Sequence, residues 1–134
     1  MPRPDPRPLG LAALLLAVAP ASAGPAFAPD ARVAAAFGNT VVSTYPDGRN
    51  QLIWLEPDGR WTGLSRTRKA LAGKWTVKAD KLCMRQQTPP TLPFSYCTAF
   101  PPDAHVGAAW MSKDFGGTPI QLKLVRGLQT ASAN

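Results

Sequence analysis

From Gly38 onward the chain is a succession of short runs rich in β-branched and aromatic residues, each closed by a cluster of Gly, Pro, Asp or Asn. Runs this short, punctuated this often, leave no room for a sustained helical period and restrict the chain to strands and turns. The pattern predicts strands over residues 40–45, 51–55, 61–65, 74–78, 82–87, 95–100, 110–115 and 120–125. Within 74–78, Trp75 and Val77 share one face, and Lys74, Thr76 and Lys78 share the other. Within 120–125, Ile120, Leu122 and Leu124 oppose Gln121 and Lys123. Such alternation makes a sheet with one dry and one wet face. Residues 51–55 are apolar on both faces, which predicts a central or loop-covered strand. The expected fold is all-β: a small antiparallel up-and-down meander that curls into a barrel, because closure removes exposed edges. A β-sandwich is the alternative.

The tetrapeptide Pro-Asp-Gly-Arg occurs twice, at 46–49 and 57–60. Pro suits the first central position of a type I turn, Asp follows, and Gly accepts the left-handed conformation. Two hairpin turns flanking strand 51–55 are therefore expected. They would lie at opposite ends of that strand, roughly 20 Å apart, so Asp47 and Asp58 could not share a metal. Neither copy has the ligand spacing of a calcium loop or a phosphate loop.

The first residues read as a secretory signal peptide over 1–23. Arg3 and Arg7 precede an apolar run over 9–19, and Ala21-Ser22-Ala23 offers small residues at a cleavage site. The run is shorter than the ~20 residues that span a bilayer. Cleavage after Ala23 removes two Arg and one Asp, leaving 111 residues and a formal charge of +6 from the full chain's +7. That length suits one domain, which would bury roughly 65% of its unfolded surface. Residues 24–37 read as an Ala- and Pro-rich leader with one helical turn over 31–36, residues 38–127 as a single β-domain, and 128–134 as a disordered tail. A periplasmic or secreted location follows, and there an even, closely spaced pair, Cys83 and Cys97, reads as a disulfide. With no CxxC and one His, a zinc site lacks ligands; no metal and no cofactor are expected.

The inventory for catalysis is thin. The single His105 lies near Asp103, but no Gly-x-Ser-x-Gly elbow accompanies it, and the mature chain's acids fall mostly in turns. A non-enzymatic protein is expected. Trp54, Trp61, Trp75 and Trp110 could line a ligand cavity inside a barrel or could pack a filled core. Residues 88–94, Pro-rich and lying between the cysteines, form a stiffened loop of a kind inhibitors use as a wedge, and plain connections use as often. Residues 66–85 hold Arg66, Arg68, Lys69, Lys74, Lys78, Lys81 and Arg85 against one acid, Asp80. A solvated face explains that bias; so does an anion-binding surface for envelope lipid or polysaccharide. Nucleic acid is not an expected partner.

The segments Gly38-Asn39-Thr40, Gly73-Lys74-Trp75-Thr76-Val77, Leu82-Cys83 and Cys97 resemble the pattern of a group of small secreted proteobacterial β-domains of unknown function, over about residues 37–127. The resemblance implies a bacterial periplasmic β-domain and brings no activity or catalytic residues with it. Size, export and one disulfide give a looser likeness to periplasmic β-barrel inhibitors of lysozyme or proteases. The expected function is an envelope-associated binding module with weak affinity for anionic partners, the alternative being an inhibitor of a secreted hydrolase.

Overall fold

The computed structural model describes residues 1–4, 6, 8, 10, 16–19, 31–91 and 95–130. Eight antiparallel strands form one sheet: β1 Thr40–Thr44, β2 Asn50–Leu55, β3 Arg60–Leu64, β4 Ala70–Lys78, β5 Lys81–Thr88, β6 Tyr96–Ala99, β7 Ala109–Lys113 and β8 Pro119–Val125. Their order is β6-β5-β4-β3-β2-β1-β8-β7. Every neighbour is a sequence neighbour except β1 and β8, which pair antiparallel with Val41 opposite Leu124 and Ser43 opposite Leu122. That pairing curls the meander round until β6 and β7 face each other. Between them runs a seam bridged by a hydrogen bond between the Thr98 and Ser112 hydroxyls. The barrel is thus nearly closed, as the strand pattern implied.

Four of the hairpins share one frame. In each, a residue at the end of one strand donates its N–H to the carbonyl four residues on and accepts an N–H three residues on. The pairs are Tyr45 with Arg49 and Gly48, Glu56 with Arg60 and Gly59, Ser65 with Lys69 and Arg68, and Asp114 with Thr118 and Gly117. The fourth residue of each frame takes a positive φ: 81° at Gly48, 87° at Gly59, 64° at Arg68 and 86° at Gly117. The two Pro-Asp-Gly-Arg segments are therefore identical turns, one at each end of β2. In both, the Asp accepts the Arg backbone N–H at 3.0 Å and pairs with the same guanidinium.

One end of the barrel is plugged. Val33, which precedes the 3-10 turn Ala34–Ala36, and Ala36 within it are buried in one cluster with Trp61, Trp75, Phe100 and Leu124. Phe37 packs on Trp75 with ring centroids 5.9 Å apart, and the Trp75 indole N–H donates to the carbonyls of Glu56 and Arg60 at 3.0 Å each. The sequence marks residues 24–37 as a loose leader; of these, 31–37 are described, and they form the floor of the core. Their alanines look unconstrained in sequence, yet Ala36 is buried in the same core cluster as Trp61, Trp75 and Phe100. The tail is also partly tied down. Gly127 N–H donates to Asn39 Oδ1 at 2.9 Å, and Gln129 N–H donates to Thr40 Oγ1 at 2.8 Å. Thr40 Oγ1 in turn donates to Gly127 O and accepts from the Trp54 indole at 3.0 Å. The Gly-Asn-Thr segment is thus a structural knot joining β1, β2 and the C-terminal segment.

Candidate functional site: a barrel cavity open at one end

The lumen is hollow. A cavity of about 690 Å³ opens at the end opposite the plug. An eight-stranded barrel has an interior just wide enough to be filled by side chains or to hold one small ligand, and the size of the inward residues decides which. Large rings gather at the floor: Trp61, Trp75, Phe100 and Trp110, with Phe100 and Trp110 in an edge-to-face contact at 5.2 Å. Above them the inward positions are short. Ser43, Thr98 and Ser112 line the cavity. Ile53, Met84 and Leu122 complete an apolar belt. The lumen is open because these middle positions are small.

Tyr45, Gln51, Gln86, Pro90, Thr91, Tyr96, Asp114 and Phe115 line the open end. They come from the β1–β2, β5–β6 and β7–β8 ends, so the turns set the rim. Asp114 Oδ1 accepts the backbone N–H groups of Gly116 and Thr118 at 2.9 and 2.8 Å. Burial, then the charge of the nearby Asp114 carboxylate, raises the Tyr45 phenol above the ordinary value against the opposing pull of Arg66. The Arg66 guanidinium lies over the Tyr45 ring, 3.9 Å from its centroid, and pairs with Asp47 at 3.8 Å. Pro90 and Thr91, which follow β5, reach the rim, and Gln86 Nε2 donates to Pro89 O at 2.9 Å. Residues 92–94 of the Pro-rich segment lie outside the described residues.

The four tryptophans separate by role. Trp61 and Trp110 line the cavity, Trp75 belongs to the plugged floor, and Trp54 packs on the outside of β2. The Trp110 indole N–H is buried without a hydrogen-bond partner. Leu52, opposite Val42 on the outer face, is fully buried, which accounts for the two-sided apolar character of β2.

The seven basic residues singled out in the sequence lie in the turn before β4 and along β4 and β5. Lys74 lies midway along β4, about 13 Å from its first residue, Ala70. Arg66, Arg68 and Lys69 occupy the rim turn, where Arg66 is held by Asp47 and Tyr45, and Arg68 donates to Asn50 Oδ1 at 2.7 Å. Lys74, Lys78, Lys81 and Arg85 are exposed on the outer wall, Lys74 directly opposite Arg85 and Lys78 opposite Lys81. Cys83 and Cys97 are bonded to each other across β5 and β6. His105 is exposed, and its Nδ1 meets the backbone carbonyl of Asp103 at 2.9 Å. Among the described residues no three His, Cys, Asp or Glu side chains converge, and no helix is long and apolar enough to cross a membrane. The Ala21–Ala23 cleavage signal lies outside the described residues.

The rim residues Tyr45, Gln51, Tyr96 and Asp114 went unmarked in the sequence. Strand-end position and alternation with Val41, Ile53, Thr98 and Ser112 are the signal that aligns them inward. Compared with known proteins, the chain matches no family model, no curated protein and no solved structure.

Proposed function

We propose that this protein is an exported, non-enzymatic binding protein that carries one small apolar or amphiphilic molecule in its barrel. The observation that carries the reading is the cavity: about 690 Å³, apolar toward the floor, polar at the rim and open at one end. Ligand pockets span roughly 300–1,000 Å³ and combine an apolar lining with a few polar groups that fix orientation. Burial of a methylene is worth about 0.8 kcal/mol, so a decyl chain in the lumen gains roughly 8 kcal/mol to set against the cost of association. The disulfide fits an oxidising compartment, and the signal-like N-terminus supports export. Titration with an apolar fluorescent dye, N-phenylnaphthylamine, tests the reading. One-to-one saturable binding is expected, abolished when Ser112→Trp fills the middle of the lumen. Dye binding that survives the filled variant, or no binding, would reject it.

A second reading rests on the outer wall. The opposed pairs Lys74/Arg85 and Lys78/Lys81 support weak attraction to anionic envelope lipid or polysaccharide. Like charges directly opposite each other cost stability, so an anion across them would relieve that repulsion. Cosedimentation with phosphatidylglycerol vesicles should be strong at low salt, weak at high salt and lost in Lys78→Glu/Lys81→Glu/Arg85→Glu. Equal sedimentation of both proteins would leave the wall as a solvated face.

A further inference from the structure

The charge of the lumen has the opposite sign to that of the surface. The chain carries +7, yet among the described residues lining the cavity the one charged side chain is Asp114. Around it stand three aromatic rings, Tyr45, Tyr96 and Phe115. Phe115 is 60% exposed at the tip of the β7–β8 turn, so it can rest against a ligand's outer end. Gln51 and Gln86 add amide oxygens to the same rim. Arg66 does not line the cavity; Asp47 engages it, and it covers one face of Tyr45.

A carboxylate among aromatic rings selects ligand chemistry in two ways. It accepts N–H donors through charge-assisted hydrogen bonds, and the ring faces attract cations. It also repels a carboxylate or phosphate placed at the same depth. The protein's positive surface opposes the approach of a cation from a distance, but beyond ~8 Å that field is screened at physiological salt, while contact at Asp114 is not.

We propose that the cavity takes an amphiphile whose polar end is an ammonium group, seated at Asp114 against Tyr45, Tyr96 and Phe115 with its apolar chain directed toward Trp61 and Trp110. This rests on the reading of the barrel as an apolar-ligand carrier. It differs from the outer-wall reading in ligand charge and in location.

Calorimetric titrations at physiological salt with decylammonium, decanol and decanoate, each below its micelle concentration, test it. Decylammonium should bind at least about tenfold tighter than decanoate, with decanol between them. Asp114→Asn keeps the oxygen that accepts from Gly116 and Thr118, and should weaken decylammonium about tenfold and decanol much less. Phe115→Ala, on an exposed ring, should weaken decylammonium more than decanol. Decanoate or decanol binding as tightly as decylammonium would overturn the ammonium assignment and leave the carrier reading standing. Failure of all three to bind would overturn both.

Discussion

Asp47 and Asp58 occupy equivalent positions in two copies of one turn, and each carboxylate accepts the backbone N–H of an arginine two residues on. The bond favours the charged form, so Arg49 holds Asp47, and Arg60 holds Asp58, below the ordinary carboxylate value. A lowered folded pKa stabilises the fold in full above the unfolded value of 3.8 and is lost as pH falls through the lower folded value. The double variant Asp47→Asn/Asp58→Asn should therefore show a shallower drop in urea midpoint than wild type between about pH 4 and about pH 2; parallel curves would contradict this. Gly73 is fixed for another reason. A Cβ there would collide with the Arg85 carbonyl oxygen and come within 2.7 Å of Trp61 Nε1, at the point where the β4–β5 register shifts. Gly73→Ala should lower unfolding free energy by about 2 kcal/mol in a denaturant titration, the usual scale of overpacking. The Gly-x-Trp-x-Val pattern around it is thus a packing requirement: the glycine lets the Trp61 ring and the β5 backbone approach.

All eight strands were legible from alternation and turn chemistry because both are local. The exception in length is β4, which begins at Ala70, four residues before the expected start. Ala70, Leu71, Ala72 and Gly73 have weak strand propensity, and pairing with β3 overrides it. Arg68 shows the same override in a turn, holding a φ of 64° where the equivalent frames have Gly. Its hydrogen bond to Asn50 compensates for the strain. At the other end of the sheet, β6 has a ladder on one side alone, to β5, and Cys83–Cys97 crosses that ladder. Closing the loop between the cysteines restricts the unfolded chain, worth about 3 kcal/mol in the chain-entropy model. Cys83→Ser/Cys97→Ser should lose about that much stability. Amide hydrogens of Tyr96–Ala99 should exchange first, ahead of those of β1 to β4. Uniform protection across the sheet in that variant would show that β6 is held as firmly as the central strands.

The barrel as a whole follows from β1 pairing with β8, which brings the two termini of the domain together and leaves the Thr98–Ser112 seam. Strand runs announce a curled sheet, but the sequence could not say whether the barrel was filled. That depends on which inward residues share a level, and so on registers set by long-range pairing. Ser43, Ser112 and Thr98 look like ordinary strand polar residues until the register stacks them above the floor rings. The basic stretch shows the converse. Arg66, Arg68 and Lys69 are close in sequence to Lys74 and Lys78, yet the first three sit in a turn and the last two on the outer wall of β4. The central claim is that the lumen, and not the outer wall, receives an apolar molecule, and methyl and amide chemical shifts recorded during a decanol titration test it most directly. Saturable shifts are expected at the inward residues Ser43, Ile53, Met84, Ser112 and Leu122, with Val42, Leu52, Lys74 and Arg85 unmoved. Shifts confined to those outer positions, or none at saturating decanol, would contradict it.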